Sequence, residues 1–297
     1  MADTLVSQFT TRWKLFGIVE RLITINVIVF VVLFTLKLIG SWFNIGAINI
    51  AENSSFYLAT TSNWRVLLTR PWTIITHMFV HAGVMHILFN MVFLYFVGRM
   101  FVGFFGNKKL LSTYLLGGIS GFLLFFIAGQ FLPGAGGFAV GASAAVMAIF
   151  IALATYFPDM EIRLFLFGNV KLKYVALIYI LIDYLSLGGG NVGGHIGHLG
   201  GAAYGFLLMY NMKHGRDISA WFERILDRIA NLFKGGGMKV VHRSKPKKRV
   251  VSDDEYNTQK LDNQKRIDRI LDKISKGGWD SLSKDEKEFL GKHGRDV

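Results

Sequence analysis

Residues 137–157 read GFAVGASAAVMAIFIALATYF, and from Ala144 to Ala154 every side chain is apolar. A helix that is hydrophobic all round belongs either to the interior of a large protein or to a membrane span. A serine stands at its head, between Gly141 and the alanines. Ser143 is therefore either a small packing residue or a nucleophile, and the rest of the chain has to decide which.

The chain has 297 residues, 52% of them hydrophobic, with 26 Phe and a mean hydropathy of +0.39. Runs close to the roughly 20 residues that cross about 30 Å of hydrocarbon recur at 22–40, 84–102, 110–131, 141–157, 172–188 and 196–212. The pattern predicts an all-α integral membrane protein, a multi-pass bundle of six transmembrane helices with a soluble tail. The first twenty residues are mixed and polar, unlike a cleavable leader. With Cys at 0, disulfides, thiolate metal sites and a cysteine nucleophile are excluded.

The formal charge is +13, and its placement argues against nucleic acid. Arg12, Lys14 and Arg21 precede the first span. Arg99, Lys108 and Lys109 lie around the second turn, Arg163, Lys171 and Lys173 around the fourth, and Lys213 follows the sixth. The other side keeps Lys37, Arg65 and Arg70, and the connections 131–140 and 188–195 carry no charge. This is the positive-inside pattern of a bundle with both termini in the cytoplasm (N-in/C-in).

The 41–83 connection is too long to be structureless, and its Trp42, Trp64 and Trp72 suit a membrane interface. Residues 217–233, DISAWFERILDRIANLF, space Ile218, Trp221, Phe222, Ile225, Leu226 and Ile229 along one helical face. With the basic stretch KGGGMKVVHRSKPKKR behind it, this predicts an interfacial helix drawn to anionic lipid. The alternative is a helix packed on the cytoplasmic ends of the bundle. The polar segment 256–297 carries an apolar stripe of Ile267, Ile270, Leu271 and Ile274. After Gly277–Gly278, Ser283 with Glu286 forms a capping-box pattern. The organisation expected is a six-helix domain over 1–212, an amphipathic helix and basic linker over 213–250, and a small cytoplasmic helical hairpin over 251–297. That hairpin suits regulation or docking of a cytoplasmic partner.

Five histidines, His77, His81, His86, His195 and His198, lie in or beside apolar sequence, where ionisable groups are costly. The second, fourth and sixth spans run in the same direction, so their starts share one depth. His86 and Asn90 open the second, Ser143 the fourth and His198 the sixth. Helix N-termini add unpaired N–H groups and partial positive charge. A nucleophile, a base and oxyanion donors in one layer are what acyl transfer requires. Gly197, Gly201 and Gly205 on one span, and Gly141, Ala145, Ala148 and Ala152 on another, are small faces that let two membrane helices approach closely. His195, one turn before His198, is the competing base or a supporting residue. His81 fits a structural partner of the oxyanion region and His77 a loop residue facing water or headgroups. Asp183, near the outer end of the fifth span, invites a third triad role, but a buried acid more often bonds a neighbouring helix. Zinc hydrolysis would want a pattern such as HExxH, which this chain lacks. A transporter would want broken helices or midplane charges.

These residues resemble a known family. GASA at 141–144 is similar to the GxSx motif of rhomboid intramembrane serine proteases, and HLGGAAYG at 198–205 to their HxxGxxxG. HAGVMHILFN at 81–90 matches HxxxxHxxxN, and NWR at 63–65 resembles the Trp-Arg element of the first loop. The resemblance spans about residues 15–212. It implies a Ser–His dyad of Ser143 and His198, with the oxyanion held by His86, Asn90 and the Ser143 N–H. Gly141, Gly201, Gly205, His81 and His195 would be supporting. It implies no cofactor and no metal, transmembrane proteins as substrates, and a place in the bacterial inner membrane. Two departures stand out: Ala144 follows the serine where many relatives have Gly, and Met147 stands where some place an aromatic against the imidazole. The alternative is a rhomboid-like protein that binds membrane clients without cutting them, whose mark would be loss of the serine or histidine.

Overall fold

The computed structural model describes residues 13, 15–43, 56–164, 168–233 and 253–293. The chain divides into two units, 1–235 and 236–297. The first contains α1 (Ile18–Phe43), α2 (Trp64–Thr69), α3 (Thr73–Thr76), α4 (Val84–Phe131), α5 (Ser143–Tyr156), α6 (Leu172–Leu185), α7 (Val192–Lys213) and α8 (Ala220–Phe233). Two short antiparallel pairs join them: β1 (Thr60–Thr61) with β2 (Phe138–Ala139), and β3 (Glu161–Leu164) with β4 (Gly168–Lys171). The second unit holds α9 (Asp253–Gly277) and α10 (Lys284–His293).

The apolar run that opened the sequence becomes α5, with every residue from Ala144 to Ala154 buried among α4, α7 and α1-side side chains of the core. Its 14 residues rise about 21 Å at ~1.5 Å each, well short of the ~30 Å of a bilayer core. Helices α1, over Ile18–Trp42, and α4 are long and apolar enough to cross a membrane.

Sequence spacing predicts two spans at 84–102 and 110–131 joined by a turn. The structure has two helical arms, labelled together as α4, that meet at Gly106, where the backbone is non-helical (φ 79, ψ 169). A side chain at that φ would be strained, so glycine makes the kink. Phe105 meets Tyr156 edge-on at 5.0 Å and Phe104 meets Phe157 at 4.4 Å, which sets the kink beside the far end of α5 from Ser143. Helix α7 also begins earlier than expected, so His198 is its seventh residue rather than its third, while Ser143 is the first residue of α5.

The described part of the long connection is ordered around β1 and β2. The Asn63 side chain caps α2, accepting from the Arg65 and Val66 N–H groups. Gly137 N–H donates to Ser62 Oγ at 2.9 Å, and Gln130 Nε2 donates to the Ser62 carbonyl at 2.6 Å. Trp72 Nε1–H donates to the Tyr57 carbonyl at 2.9 Å, and the Arg70 guanidinium lies 4.0 Å from the centre of the Tyr57 ring. Trp64 and Trp72 are exposed, as interface residues would be.

At the kink end, Lys109 is buried and paired with both Asp217 and Glu223, and it also donates to Ser219 Oγ at 2.9 Å. Burial pushes the Asp217 carboxyl up, but bonds from Lys109 and Ser219 outweigh it and hold the group below its ordinary value. Helix α8 thus packs on the bundle by its polar face, with Asp227 also 2.6 Å from Lys108 Nζ. Its Trp221, Ile225, Ile229 and Leu232 face outward. The charged side of this helix is docked and its apolar side is left open. The basic stretch 234–249 lies outside the described residues.

In the second unit, Gly278 (φ 70) turns the chain and Ile267, Ile270 and Leu282 are buried between the helices. The capping box is reciprocal: Ser283 N–H donates to Glu286 Oε2 at 2.7 Å, and Glu286 N–H to Ser283 Oγ at 3.3 Å. That backbone bond and Lys273, 3.0 Å away, lower the Glu286 carboxyl from 4.5 to about 2.

Lys109→Ala would strand two partly buried acids, and detergent-solubilised protein should lose about 3–5 kcal/mol in chemical unfolding, the usual effect of removing one side of a buried pair. Lys108→Ala, at an exposed pair, should leave the midpoint unmoved. In the hairpin, a carboxyl whose folded pKa is depressed stabilises above its unfolded value and ceases to as the pH falls through the folded one. Protection of the α10 amides from exchange should therefore hold at pH above 4.5 and decline as the pH falls toward 2. Glu286→Gln should abolish that dependence.

Candidate active site

Ser143 opens α5 behind Ala142 (φ −74, ψ −7), and no side chain caps the helix. The first amides of α5 thus have no intrahelical partners. Just before it, Gly141 sits at φ +131, and its N–H donates to the His77 carbonyl at 2.9 Å. A Cβ on Gly141 would lie 2.9 Å from both His86 Cε1 and Nε2, and 3.5 Å from Ser143 Oγ. Glycine is required here twice, by the dihedral and by the space. The same measurement shows that the His86 imidazole and the Ser143 hydroxyl flank one piece of backbone.

The proton on His86 follows from its other bond. Ala82 N–H donates to His86 Nδ1 at 3.3 Å. Nδ1 is therefore the acceptor, and Nε2, on the Gly141 side, carries the hydrogen. His81 packs edge-on against this ring at 5.2 Å and is buried. Asn90 is buried one turn along; its Nδ2 donates to the His86 carbonyl at 2.8 Å, which leaves one amide hydrogen for a ligand.

His198 Nε2 lies 2.7 Å from Ser143 Oγ. Its Nδ1 lies 2.9 Å from Asp183 Oδ1. His195 does not reach the serine: its Nδ1 is 2.7 Å from that same Asp183 oxygen. Ser143, His86, Asn90 and His198 line one cavity of about 870 Å³, whose remaining wall is largely apolar and includes Phe89, Phe93, Phe96 and Tyr179. Phe89 and Phe96 are exposed, so the cavity meets the surface between the first arm of α4 and α6.

Residues 68–214 match the model of the rhomboid domain. Just under half of the chain therefore carries the sequence pattern of the rhomboid domain. The chain is 31% identical over 155 residues to Rhomboid-like protease 3 of Toxoplasma gondii, covering 51% of this chain and 56% of that protein. It is 32% identical over 162 residues to RHOMBOID-like protein 12, mitochondrial, of Arabidopsis thaliana, covering 50% and 48%. Presenilin-associated rhomboid-like protein A, mitochondrial, of Danio rerio is 29% identical over 143 residues, covering 46% and 36%. The chain thus spans about half the length of the first two of these relatives, and about a third of the third. Residues 252–296 match a family of unknown function, DUF6576. The matched segment is mostly helical and includes α4, which is long and apolar enough to cross a membrane.

Within the rhomboid domain, the glycines of α7 determine how near the two reacting side chains come. A Cβ on Gly201 would lie 2.1 Å from the Ala144 carbonyl oxygen, and one on Gly205 2.2 Å from that of Ala148. The facing residues on α5 are therefore Ala144 and Ala148, and Ala144 in place of glycine costs nothing because its methyl points to Gly121 on α4. Met147 lines the cavity.

One expectation needs correction, and another is met in an unexpected place. His77 does not face water; it is buried, with Nδ1 2.8 Å from the Thr73 carbonyl oxygen, because its own carbonyl anchors Gly141. Asp183 bonds a neighbouring helix as expected, but the groups it bonds are the two histidines of the site. The available signal was an acid inside an apolar span, at the depth where His195 and His198 begin. The three ligand atoms of Asp183, His195 and His198 lie within 4.8 Å of one another, so this set could also hold a divalent ion.

Gly201→Ala should cost about 1–3 kcal/mol as an overpacked contact and should slow any reaction of Ser143, since α7 must back away from α5. Gly197→Ala, whose added Cβ meets nothing closer than 3.8 Å, should be neutral or stabilising by up to about 1 kcal/mol. Unfolding midpoints together with labelling by a fluorophosphonate distinguish the two.

Proposed function

We propose that this protein is a rhomboid intramembrane serine endopeptidase that hydrolyses peptide bonds of single-span membrane proteins near the outer membrane surface. The observation that carries the reading is the 2.7 Å contact between Ser143 Oγ and His198 Nε2 at the open N-terminus of α5. Ser143 transfers its proton to His198 Nε2 as Oγ bonds to the scissile carbonyl carbon, and the carbonyl electron pair moves onto oxygen. His86 Nε2–H, the spare Asn90 N–H and the Ser143 amide stabilise that oxyanion. Collapse breaks the C–N bond while His198 returns the proton to the leaving amine. Water, activated by the same imidazole, then releases the acyl group. Neither a metal nor a cofactor is needed for these steps.

The proposed topology is six spans with both termini in the cytoplasm: α1, the two arms of α4, α5, α6 and α7. Supporting it, charged pairs gather at the kink end, with Lys109–Asp217, Arg99–Glu20 and Lys173–Asp159 there, while the opposite loops at 131–140 and 188–195 are uncharged. The shortness of α5 then submerges Ser143 below the outer surface. A substrate helix must unwind locally to present an extended peptide, and the exposed Phe89 and Phe96 offer it an apolar route to the cavity. On the cytoplasmic side, the outward Trp221, Ile225 and Ile229 of α8 would lie in lipid, and the hairpin is free to meet a cytoplasmic partner.

Purified protein in liposomes should cleave a single-span model substrate, and Ser143→Ala or His198→Ala should abolish cleavage. His86→Ala and Asn90→Ala should each lower kcat by about 10²–10³, as loss of an oxyanion donor does. A phosphonate should label Ser143 alone. Equal cleavage by wild type and both dyad variants, or binding of the substrate with no cleavage by wild type, would refute the proposal.

A further inference from the structure

We infer that Asp183 is a positioning residue for His198, shared with His195, so that the base is held by a carboxylate rather than by an aromatic ring. The inference rests on the serine-hydrolase reading above and goes beyond the dyad that the family resemblance implies.

The argument begins with what each atom can do. Both nitrogens of His198 are within hydrogen-bond reach of a partner, 2.7 Å to Ser143 Oγ and 2.9 Å to Asp183 Oδ1. A carboxylate oxygen can only accept, so Nδ1 must carry the hydrogen. The lone pair of a neutral imidazole is then left on Nε2, facing the hydroxyl that has to lose its proton. Of the two tautomers, Asp183 selects the one that can act as a base. When the imidazole takes the serine proton, the positive charge forms 2.9 Å from a fixed negative one whose side chain is 4% exposed.

His195 completes the arrangement. Its Nδ1 donates to the same Oδ1 at 2.7 Å, so the carboxylate is gripped from two points on successive turns of α7. Its other oxygen, Oδ2, is buried and has no partner among the described residues. The side chain is 4% exposed, and a buried acid with one oxygen unbonded would be costly unless the other were firmly held. This gives His195 a purpose other than catalysis: it fixes Asp183. It also accounts for Met147, since α5 needs no ring against an imidazole that is already held from α6.

The test compares Asp183→Asn, Asp183→Ala and His195→Ala with wild type in detergent or liposomes. Asn is nearly isosteric and can still accept from Nδ1–H, yet it removes the charge. Asp183→Asn should lower kcat by about 10² or more, with KM changed by no more than about twofold, and phosphonate labelling of Ser143 should slow in proportion. His195→Ala, which loosens Asp183 without removing it, should lower kcat by only about 3–10-fold, as loss of one supporting bond would. Proton NMR with histidine-selective labelling should show a low-field Nδ1–H resonance of His198 that moves upfield in Asp183→Asn and survives in Ser143→Ala. Asp183→Asn that keeps kcat within twofold, or a His198 Nδ1–H signal indifferent to it, would reduce Asp183 to a structural bond. Activity lost to a chelator and restored by zinc would assign the three residues to a metal and overturn the inference. Wild type that neither cleaves nor labels would defeat the serine-hydrolase reading, while the resonance would still report whether Asp183 holds His198.

Discussion

The rest of the molecule depends on backbone-to-backbone contact between α5 and α7. In a bilayer no hydrophobic force draws helices together, since the lipid is as apolar as they are, so association rests on close packing and on polar contacts. Gly201 and Gly205 supply the packing by leaving no methyl between α7 and the carbonyls of Ala144 and Ala148. The geometry of the site follows from that contact. Ser143 precedes Ala144 by one residue, and His198 precedes Gly201 by three, about one turn. Two helices that touch at 144 and 201 have little freedom in how far apart 143 and 198 can be.

The second constraint is that polar groups in this setting must satisfy one another. Ser143, His198, Asp183 and His195 form a chain in which each member bonds the next. Leaving any one of them alone would cost more than in water, because the surrounding wall is apolar. The same demand explains the first loop. Its strand β1 pairs with β2 immediately before Gly141, and His77 offers its carbonyl to Gly141 N–H. The segment ahead of the nucleophile is therefore fixed by backbone bonds from a different part of the chain.

Much of this was legible in the sequence, for physical reasons that can be separated. Depth was legible, because charge sidedness and hydropathy say which ends of which spans share a layer; that put Ser143, His86, Asn90 and His198 together. Close approach was legible from glycines at a four-residue repeat. Rotation about a helix axis was not. Asp183 lies on α6, a helix with few buried residues, and nothing in its neighbours' polarity says that it turns toward His195 and His198 rather than away. Dihedrals were not legible either: the break between the two spans was expected between 102 and 110, but not that one residue, Gly106, absorbs the whole of it. Hydropathy marks where a chain leaves the membrane, not how many residues it needs to turn.

The kink end shows how the two halves of the problem, insertion and reaction, are kept apart. Charge is concentrated where Gly106 bends α4: Lys109 is buried between Asp217 and Glu223, and α8 is fastened there by its polar side. That is an inverted arrangement for a soluble protein, in which the apolar side would face inward. It becomes sensible when the outward neighbour is lipid, because the ion pairs are then shielded by the bundle and Trp221, Ile225 and Ile229 meet hydrocarbon. With the far end fixed in this way, among the described residues no Lys or Arg pairs with a carboxylate at the end bearing Ser143. Its order comes instead from β1–β2, the Gly141 bond and the contacts of Gly201 and Gly205.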